Sequence, residues 1–279
     1  MEQNSVMKKY FDHDTRGRTA VVTGASSGIG AAFARRLAAE GYNLVIIARR
    51  KKLLDSLADE IAAAHGVAVS VHAADLADEK VLGNVLNMIV SDHTLDVLVH
   101  SAGFGTRGHL VDVAGEKIDA MIRLHVSATA ALTRSAVAAM KTRGRGWVIN
   151  VSSIGAFFTT SHYVVYSATK AFINIFTLGL RDELAGTGVG VQALCPGLTD
   201  TGFMRTDEYR DFNYGDIPAF AWMSPEEVVE ESLRGLIRGK TLVIPGRGNR
   251  VFVAMLTAPL LGSLIGGILA LLGRGKNSY

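Results

Sequence analysis

Short β-branched runs alternate with longer helix-patterned stretches along almost the whole chain, and that alternation leaves few architectures open. Apolar runs at 19–22, 44–48, 68–73, 97–101, 147–151, 189–194 and 242–244 read as strands. The stretches 29–40, 53–65, 79–90, 116–140, 163–184 and 225–237 between them carry helical periodicity. Near-continuous apolar strands separated by helices imply a parallel sheet buried on both faces. Right-handed crossovers then lead to an α/β fold with a doubly wound parallel sheet of Rossmann type. No repeat or Pro/Gly/Ser-rich linker divides the 279 residues, so one domain is expected over 18–250. It follows a polar N-terminal tail at 1–17 and precedes a hydrophobic, helical C-terminal tail at 251–279. Residues 199–223 read as a long loop, ended by the Ser224-Pro225 start of the last helix within that domain.

Composition narrows the function classes. One cysteine excludes an internal disulfide framework and a Cys-rich zinc module, and suits a reducing compartment, so a cytoplasmic protein is expected. The formal net charge of +3 is spread without a Lys/Arg block that could track a nucleic acid, and no nucleic-acid partner is expected. The polar N-terminus lacks the apolar core of a secretory signal.

The first strand runs directly into Thr23-Gly24-Ala25-Ser26-Ser27-Gly28-Ile29-Gly30, which opens an Ala-rich helix. Glycines let backbone approach a pyrophosphate, and a helix N-terminus offers unpaired N–H groups at a positive dipole end. A tight turn without a ligand would need no more than the same glycines. Strand two ends at Ala48 and is followed by Arg49, Arg50, Lys51 and Lys52, with no carboxylate to accept from ribose hydroxyls. Arg49 is the candidate partner of an adenosine 2′-phosphate, which favours NADP(H) over NAD(H). The other reading of these cations is a solvated helix start, an arrangement that the helix dipole disfavours. Asp75, beyond strand three, can receive the adenine amino group or cap the helix that begins near Asp78.

Strand five ends in Ser152-Ser153. Tyr166 follows thirteen residues after Ser153, and Lys170 four after that. On a helix Tyr166 and Lys170 share a face, whereas the corresponding neighbour of Tyr163 is Ser167. An adjacent ammonium favours a phenolate and is expected to bring the tyrosine pKa down from about 10. Taken alone, a Tyr/Lys pair on a helix is a common coincidence.

Together, Thr-Gly-x-x-x-Gly-x-Gly after strand one, Tyr-x-x-x-Lys in a long helix, a serine 13 residues ahead and the Pro196-Gly197 segment after strand six resemble the short-chain dehydrogenase/reductase family over residues 18 to 245. The resemblance implies an oxidoreductase that interconverts a ketone or aldehyde and its alcohol. It makes Tyr166 the proton donor/acceptor, Ser153 the holder of the carbonyl oxygen and Lys170 a ligand of the nicotinamide ribose. It also implies that Gly24, Ser26, Ser27, Gly28, Ile29, Gly30, Arg49, Asp75, Leu76, Ser101, Ala102, Gly103, Pro196, Gly197, Leu198 and Thr201 line the cofactor, along with Tyr166 and Lys170, and that no metal takes part. Two positions depart from the family's pattern. His100-Ser101 stands where two asparagines are usual, and His125 stands at the asparagine of the family's catalytic tetrad. His125 keeps the backbone carbonyl and adds a titratable ring, so it is either a member of the proton relay or a hydrogen-bonded core residue. A second reading of the chain is a dinucleotide-binding regulator without turnover.

Phe104, Phe157, Phe158, Tyr163, Phe203, Met204, Trp222 and Met223 suit an apolar, adaptable pocket for a hydrophobic carbonyl or alcohol substrate, although core packing would explain some of them. Arg107 and Arg205 could read a carboxylate or lie in solvent. Residues 251 to 272 are 22 consecutive uncharged positions, and Ala258, Gly262, Gly266 and Ala270 recur every fourth residue. Such a surface calls for cover, so a homo-oligomer is expected, with the tail against another copy or a membrane surface. A lipid- or steroid-directed carbonyl reductase at the membrane is a variant of the same enzyme reading.

Overall fold

The computed structural model describes residue 11 and residues 14–158, 161–205, 217–218 and 221–258. Seven parallel strands form one sheet: β1 (Thr19–Thr23), β2 (Asn43–Ala48), β3 (Val69–Ala73), β4 (Leu95–His100), β5 (Gly146–Val151), β6 (Val189–Leu194) and β7 (Leu242–Val243). Their order is β3-β2-β1-β4-β5-β6-β7. All five β1 residues are buried, as expected of a central strand covered on both faces.

Side-chain alternation along each strand feeds two cores. Ala20 and Val22, Leu44 and Ile46, and Val97 and Val99 face α1 (Gly28–Ala39), α2 (Lys51–His65) and α7 (Pro225–Leu236). Val21, Ile47, Leu98 and Val148 face the opposite layer, where α3 (Glu79–Ser91) and α5 (Thr129–Arg143) pack. Each fully buried Val or Leu contributes about 1.5–3 kcal/mol. α7 begins with a complete capping box, in which the Ser224 side chain accepts from the Glu227 N–H and the Glu227 carboxylate accepts from the Ser224 N–H.

Three differences from the sequence expectations bear on function. The helix expected as one piece over 116–140 is divided. α4 (Gly115–Ile122) passes through a π-helical turn at Arg123–Ala128 into α5, and His125 sits in that turn. A further helix, α8 (Arg247–Thr257), starts before the uncharged stretch and continues through its first seven residues. Its Val253 is buried, and its Asn249 side chain donates to the Pro245 carbonyl. Of the small-residue stripe, Gly262, Gly266 and Ala270 lie outside the described residues. The third difference is at the N-terminus. Phe11 is buried, with its ring edge-on to Tyr42 and Trp147 at 5.2 and 5.1 Å. Among the described residues, no helix is long and apolar enough to cross a membrane.

β1 pairs with β2 on one side and β4 on the other, so the winding direction reverses between β1 and β4. Ligands of such sheets bind in the crevice at the carboxyl ends of the strands flanking that reversal. The loops leaving β1 and β4 meet there.

Candidate active site

The glycine loop is shaped by close approach. Gly24 has φ +68°, and a Cβ there would stand 2.7 Å from the backbone nitrogen of Ala102 in the loop after β4. Thr201 packs its methyl against Gly28 from the other side of the crevice. At the start of α1, Ser27 adopts an extended conformation without capping through its side chain, and no acidic residue lies in the first turn. The orphan N–H groups and dipole of that helix end suit an anion.

Arg50 lies directly over this loop. Its guanidinium donates to Ser26 Oγ from Nε at 3.1 Å and from Nη2 at 2.8 Å, and Nη2 also donates to Ser27 Oγ at 2.6 Å. Arg49, the residue singled out from sequence, is exposed, with Nη1 3.9 Å from Asp75. Sequence reasoning passed over Arg50, although the basic run that marked Arg49 includes it. Both arginines stand at the end of β2, Arg50 on the Ser26 and Ser27 hydroxyls near an open helix N-terminus and Arg49 beside Asp75. That donor set fits a phosphorylated dinucleotide. The ambiguity over Asp75 also closes on one side, because Asp78 caps α3 by accepting from the Val81 N–H, while Asp75 accepts from the Ala77 N–H in its own turn.

At the other end of the crevice, Ser153 follows β5 and accepts from the Gly155 N–H at 3.0 Å. Tyr166 stands in the first turn of α6 (Val164–Glu183), and its hydroxyl is hydrogen-bonded to the Ser153 side chain. Lys170, one helical turn on, is buried; its Nζ donates to the Val151 carbonyl at 2.9 Å and lies 5.7 Å from the centre of the Tyr166 ring. The structure thus brings Ser153, Tyr166 and Lys170 together. The expected electrostatics differ. Burial pushes the Tyr166 phenol up to about 12 against the lowering effect of the Ser153 bond, and burial brings the Lys170 ammonium down to about 8. Desolvation dominates at both groups, each of which loses water on burial.

The two histidines form the site's floor. His125 Nε2 accepts from the Phe104 N–H at 3.2 Å, so the ring proton belongs on Nδ1, which donates to Thr169 Oγ1 at 2.9 Å. Thr169 donates in turn to the Tyr166 carbonyl at 2.8 Å. A Cβ at Gly103 would come within 2.9 Å of His125 Nε2, so only glycine lets the ring lie this close to the loop. His100 has a matching arrangement. The Ala102 N–H donates to Thr23 Oγ1 at 3.2 Å, Thr23 donates to His100 Nδ1 at 2.8 Å, and His100 Nε2 faces the Leu124 carbonyl of the π turn at 3.4 Å. Burial and the nearby Lys170 hold His125 well below its ordinary value and His100 down at about 4. Both rings are neutral and saturated with partners.

Of the remaining cofactor candidates, residues 101–103 and Pro196 border the same crevice, whereas Leu76 does not. Residues 101–103 form its β4 side, and the Pro196 carbonyl accepts from the Ile154 N–H at 2.9 Å, tying the segment after β6 to that after β5. Leu76 is buried in the core under α3. Of the aromatic pocket candidates, the Phe203 ring is 6.0 Å from Tyr166, and Phe158 meets Phe252 of α8 edge-on at 5.5 Å. Asn249 of α8 abuts Gly197 in the segment after β6. The side chains of Met204 and Arg205 lie outside the described residues.

Comparison with known proteins agrees with this geometry. The family model described as short chain dehydrogenase matches residues 18–211. An uncharacterized oxidoreductase of Staphylococcus epidermidis is 31% identical over 219 residues, covering 76% of this chain and 93% of its own. The structure of a bulky-bulky ketone specific alcohol dehydrogenase from Comamonas testosteroni is 30% identical, with a TM-score of 0.74, and the match covers 95% and 97% of the two chains. A short-chain dehydrogenase from Sphingobium yanoikuyae, solved in complex with NADPH, is 29% identical with a TM-score of 0.76 and covers 94% and 96%. With the Ser153, Tyr166 and Lys170 arrangement at the carboxyl ends of a doubly wound sheet, the chain belongs to the short-chain dehydrogenase/reductase family of oxidoreductases.

Proposed function

We propose that the protein is an NADP(H)-dependent oxidoreductase that interconverts a bulky apolar ketone or aldehyde and the corresponding alcohol. The observation that carries this reading is the convergence of the Tyr166 hydroxyl, the Ser153 hydroxyl and the Lys170 ammonium beneath an aromatic wall. The dinucleotide, when bound, supplies or accepts the hydride at the substrate carbon. The Ser153 and Tyr166 hydroxyls hold the carbonyl oxygen, and Tyr166 delivers the proton to that oxygen in reduction and removes it in oxidation. Lys170 supplies positive charge that favours proton loss from Tyr166 in the loaded site. His125 acts on Tyr166 through Thr169 as a positioning residue.

Arg50 and Arg49 support the choice of NADP(H), and the NADPH-bound Sphingobium relative agrees with it. The aromatic wall and the likeness to a bulky-ketone dehydrogenase support a large apolar substrate. A homo-oligomer finds support on α6, where Ile175 is 72% exposed beside the stacked Phe172 and Phe176 rings. The single, buried cysteine supports a cytoplasmic location.

The test is NADPH oxidation across a panel of aryl, steroid and long-chain ketones, with Tyr166→Phe as control. Tyr166-dependent turnover on at least one bulky ketone is expected. Tight NADPH binding with no such turnover on any class would establish the regulator reading instead.

A further inference from the structure

A cleft of about 560 Å³ lies at the β7 edge of the sheet, between α7 and α8 and away from the catalytic crevice. Arg234, Arg238, Lys240, Arg247 and Arg250 line it against one carboxylate, Glu231. That carboxylate is engaged, because Arg250 Nη1 donates to Glu231 Oε2 at 2.8 Å. With Arg250 paired to Glu231 and Arg234 engaged, Arg238, Lys240 and Arg247 still give the cleft a surplus of positive charge in a protein whose overall formal charge is only +3. Immediately beside it, the outer face of α8 turns apolar. Val251 is 58% exposed and Met255 41%, and from Val251 the chain carries no charge until Arg274.

We propose that this end of the molecule is a docking surface for an anionic lipid bilayer. Cations beside an apolar helix face match the two layers of such a surface, the basic groups meeting phosphate and carboxylate headgroups and the apolar residues entering the acyl boundary. A second copy of this chain fits poorly here, since a two-fold contact would set one basic cleft against another.

The test is cosedimentation of the full chain with vesicles of phosphatidylcholine alone and with 30% phosphatidylserine (roughly the charge density of an anionic leaflet), at low and high salt. Binding to the anionic vesicles, weakened by salt, is expected. Each cation removed, as in Arg238→Gln or Arg247→Gln, should weaken it about fivefold, and Arg238→Glu/Lys240→Glu/Arg247→Glu should abolish it. None of these residues touches the catalytic crevice, so turnover without vesicles should be unchanged, and thermal melting checks that the variants fold. Equal binding to both vesicle types by all variants would mean that apolar partitioning alone drives attachment, overturning the proposal. Absence of vesicle binding, protection of the cleft by inorganic phosphate alone, or a changed oligomeric mass in the triple variant would each overturn it as well. These outcomes are independent of whether NADPH-linked turnover is found.

Discussion

His125 Nδ1 lies 2.9 Å from Thr169 Oγ1, and that contact joins the π turn to the helix carrying Tyr166. With Nε2 accepting from the Phe104 N–H, the proton on the ring has one place to be, and the Thr169 hydroxyl passes the connection on to the Tyr166 carbonyl. One neutral imidazole thus fixes the loop after β4, the π turn and the first turn of α6 relative to one another. An imidazolium could not accept from Phe104 and would face Lys170 with like charge, so the brace works only in the neutral form.

Acid sensitivity follows from the buried histidines. The His100 pKa is lowered in the folded state to about 4 from 6.5, so its stabilising contribution is present above 6.5 and is lost as pH falls toward 4. The 2.5-unit difference corresponds to on the order of 3 kcal/mol over that window. Melting temperature should therefore decline below pH 6.5, and His100→Asn should flatten the decline whatever it does to stability at neutral pH. A slope unchanged in His100→Asn would mean that other groups control acid unfolding.

Lys170 should trade stability for function. Its pKa is depressed to about 8 from 10.5, so the neutral form fits the fold better and the ammonium present at pH 7 is a burden of roughly 3 kcal/mol. Lys170→Met should raise the melting temperature at pH 7 while eliminating turnover, with a net gain of about 1–3 kcal/mol because the Val151 carbonyl loses its donor. At pH 10 the gain should shrink. A variant less stable than the wild type at pH 7 would show that the bond to Val151 outweighs desolvation.

Cofactor selectivity should depend on both arginines at the end of β2. Removing one charge-assisted contact to a 2′-phosphate costs roughly 1.5–3 kcal/mol, about 10- to 150-fold in affinity. Arg50→Ala and Arg49→Ala should each weaken NADPH by an amount in this range and leave NADH within a few-fold, as measured by fluorescence titration. Equal losses for the two cofactors would reduce Arg50 to a brace for Ser26 and Ser27.

Tyr163 and Tyr166 should separate cleanly. Tyr166→Phe removes the hydroxyl bonded to Ser153 and should abolish turnover while NADPH still binds. Tyr163→Phe should keep kcat within a few-fold of wild type, since Tyr163 precedes α6 and does not share a helix face with Lys170. Similar losses in both variants would place the proton donor elsewhere.

Phe252 provides a check on the substrate wall. Phe252→Ala should raise KM for bulky aromatic ketones by about tenfold, the effect of losing an aromatic contact of roughly 1.5 kcal/mol, and should leave small ketones nearly unaffected. A uniform fall in kcat for large and small substrates would point instead to disruption of α8.

Local chemistry made much of this molecule legible from its sequence. Strand and helix periodicity follows from side-chain alternation, so all seven strands lie within two residues of where the pattern puts them. The spacing from Ser153 to Tyr166 to Lys170 sufficed to place the three side chains together because a strand end and one helical turn set those distances. Other features depended on where distant segments meet. Arg50 and Arg49 look alike in sequence, and only the packing of β2 beside the glycine loop brings Arg50 onto Ser26 and Ser27. The π turn leaves no periodic signature in a helix that looks continuous, and its cause lies in contacts from His100 and Phe104, more than twenty residues away. The pKa of Tyr166 was read from a neighbouring cation, but burial decides its direction, and burial is a property of the assembled core. The same holds for the tail. Its apolar composition is written in the sequence, whereas the contact of Phe252 with Phe158 and the basic cleft between α7 and α8 exist only once distant segments are packed side by side.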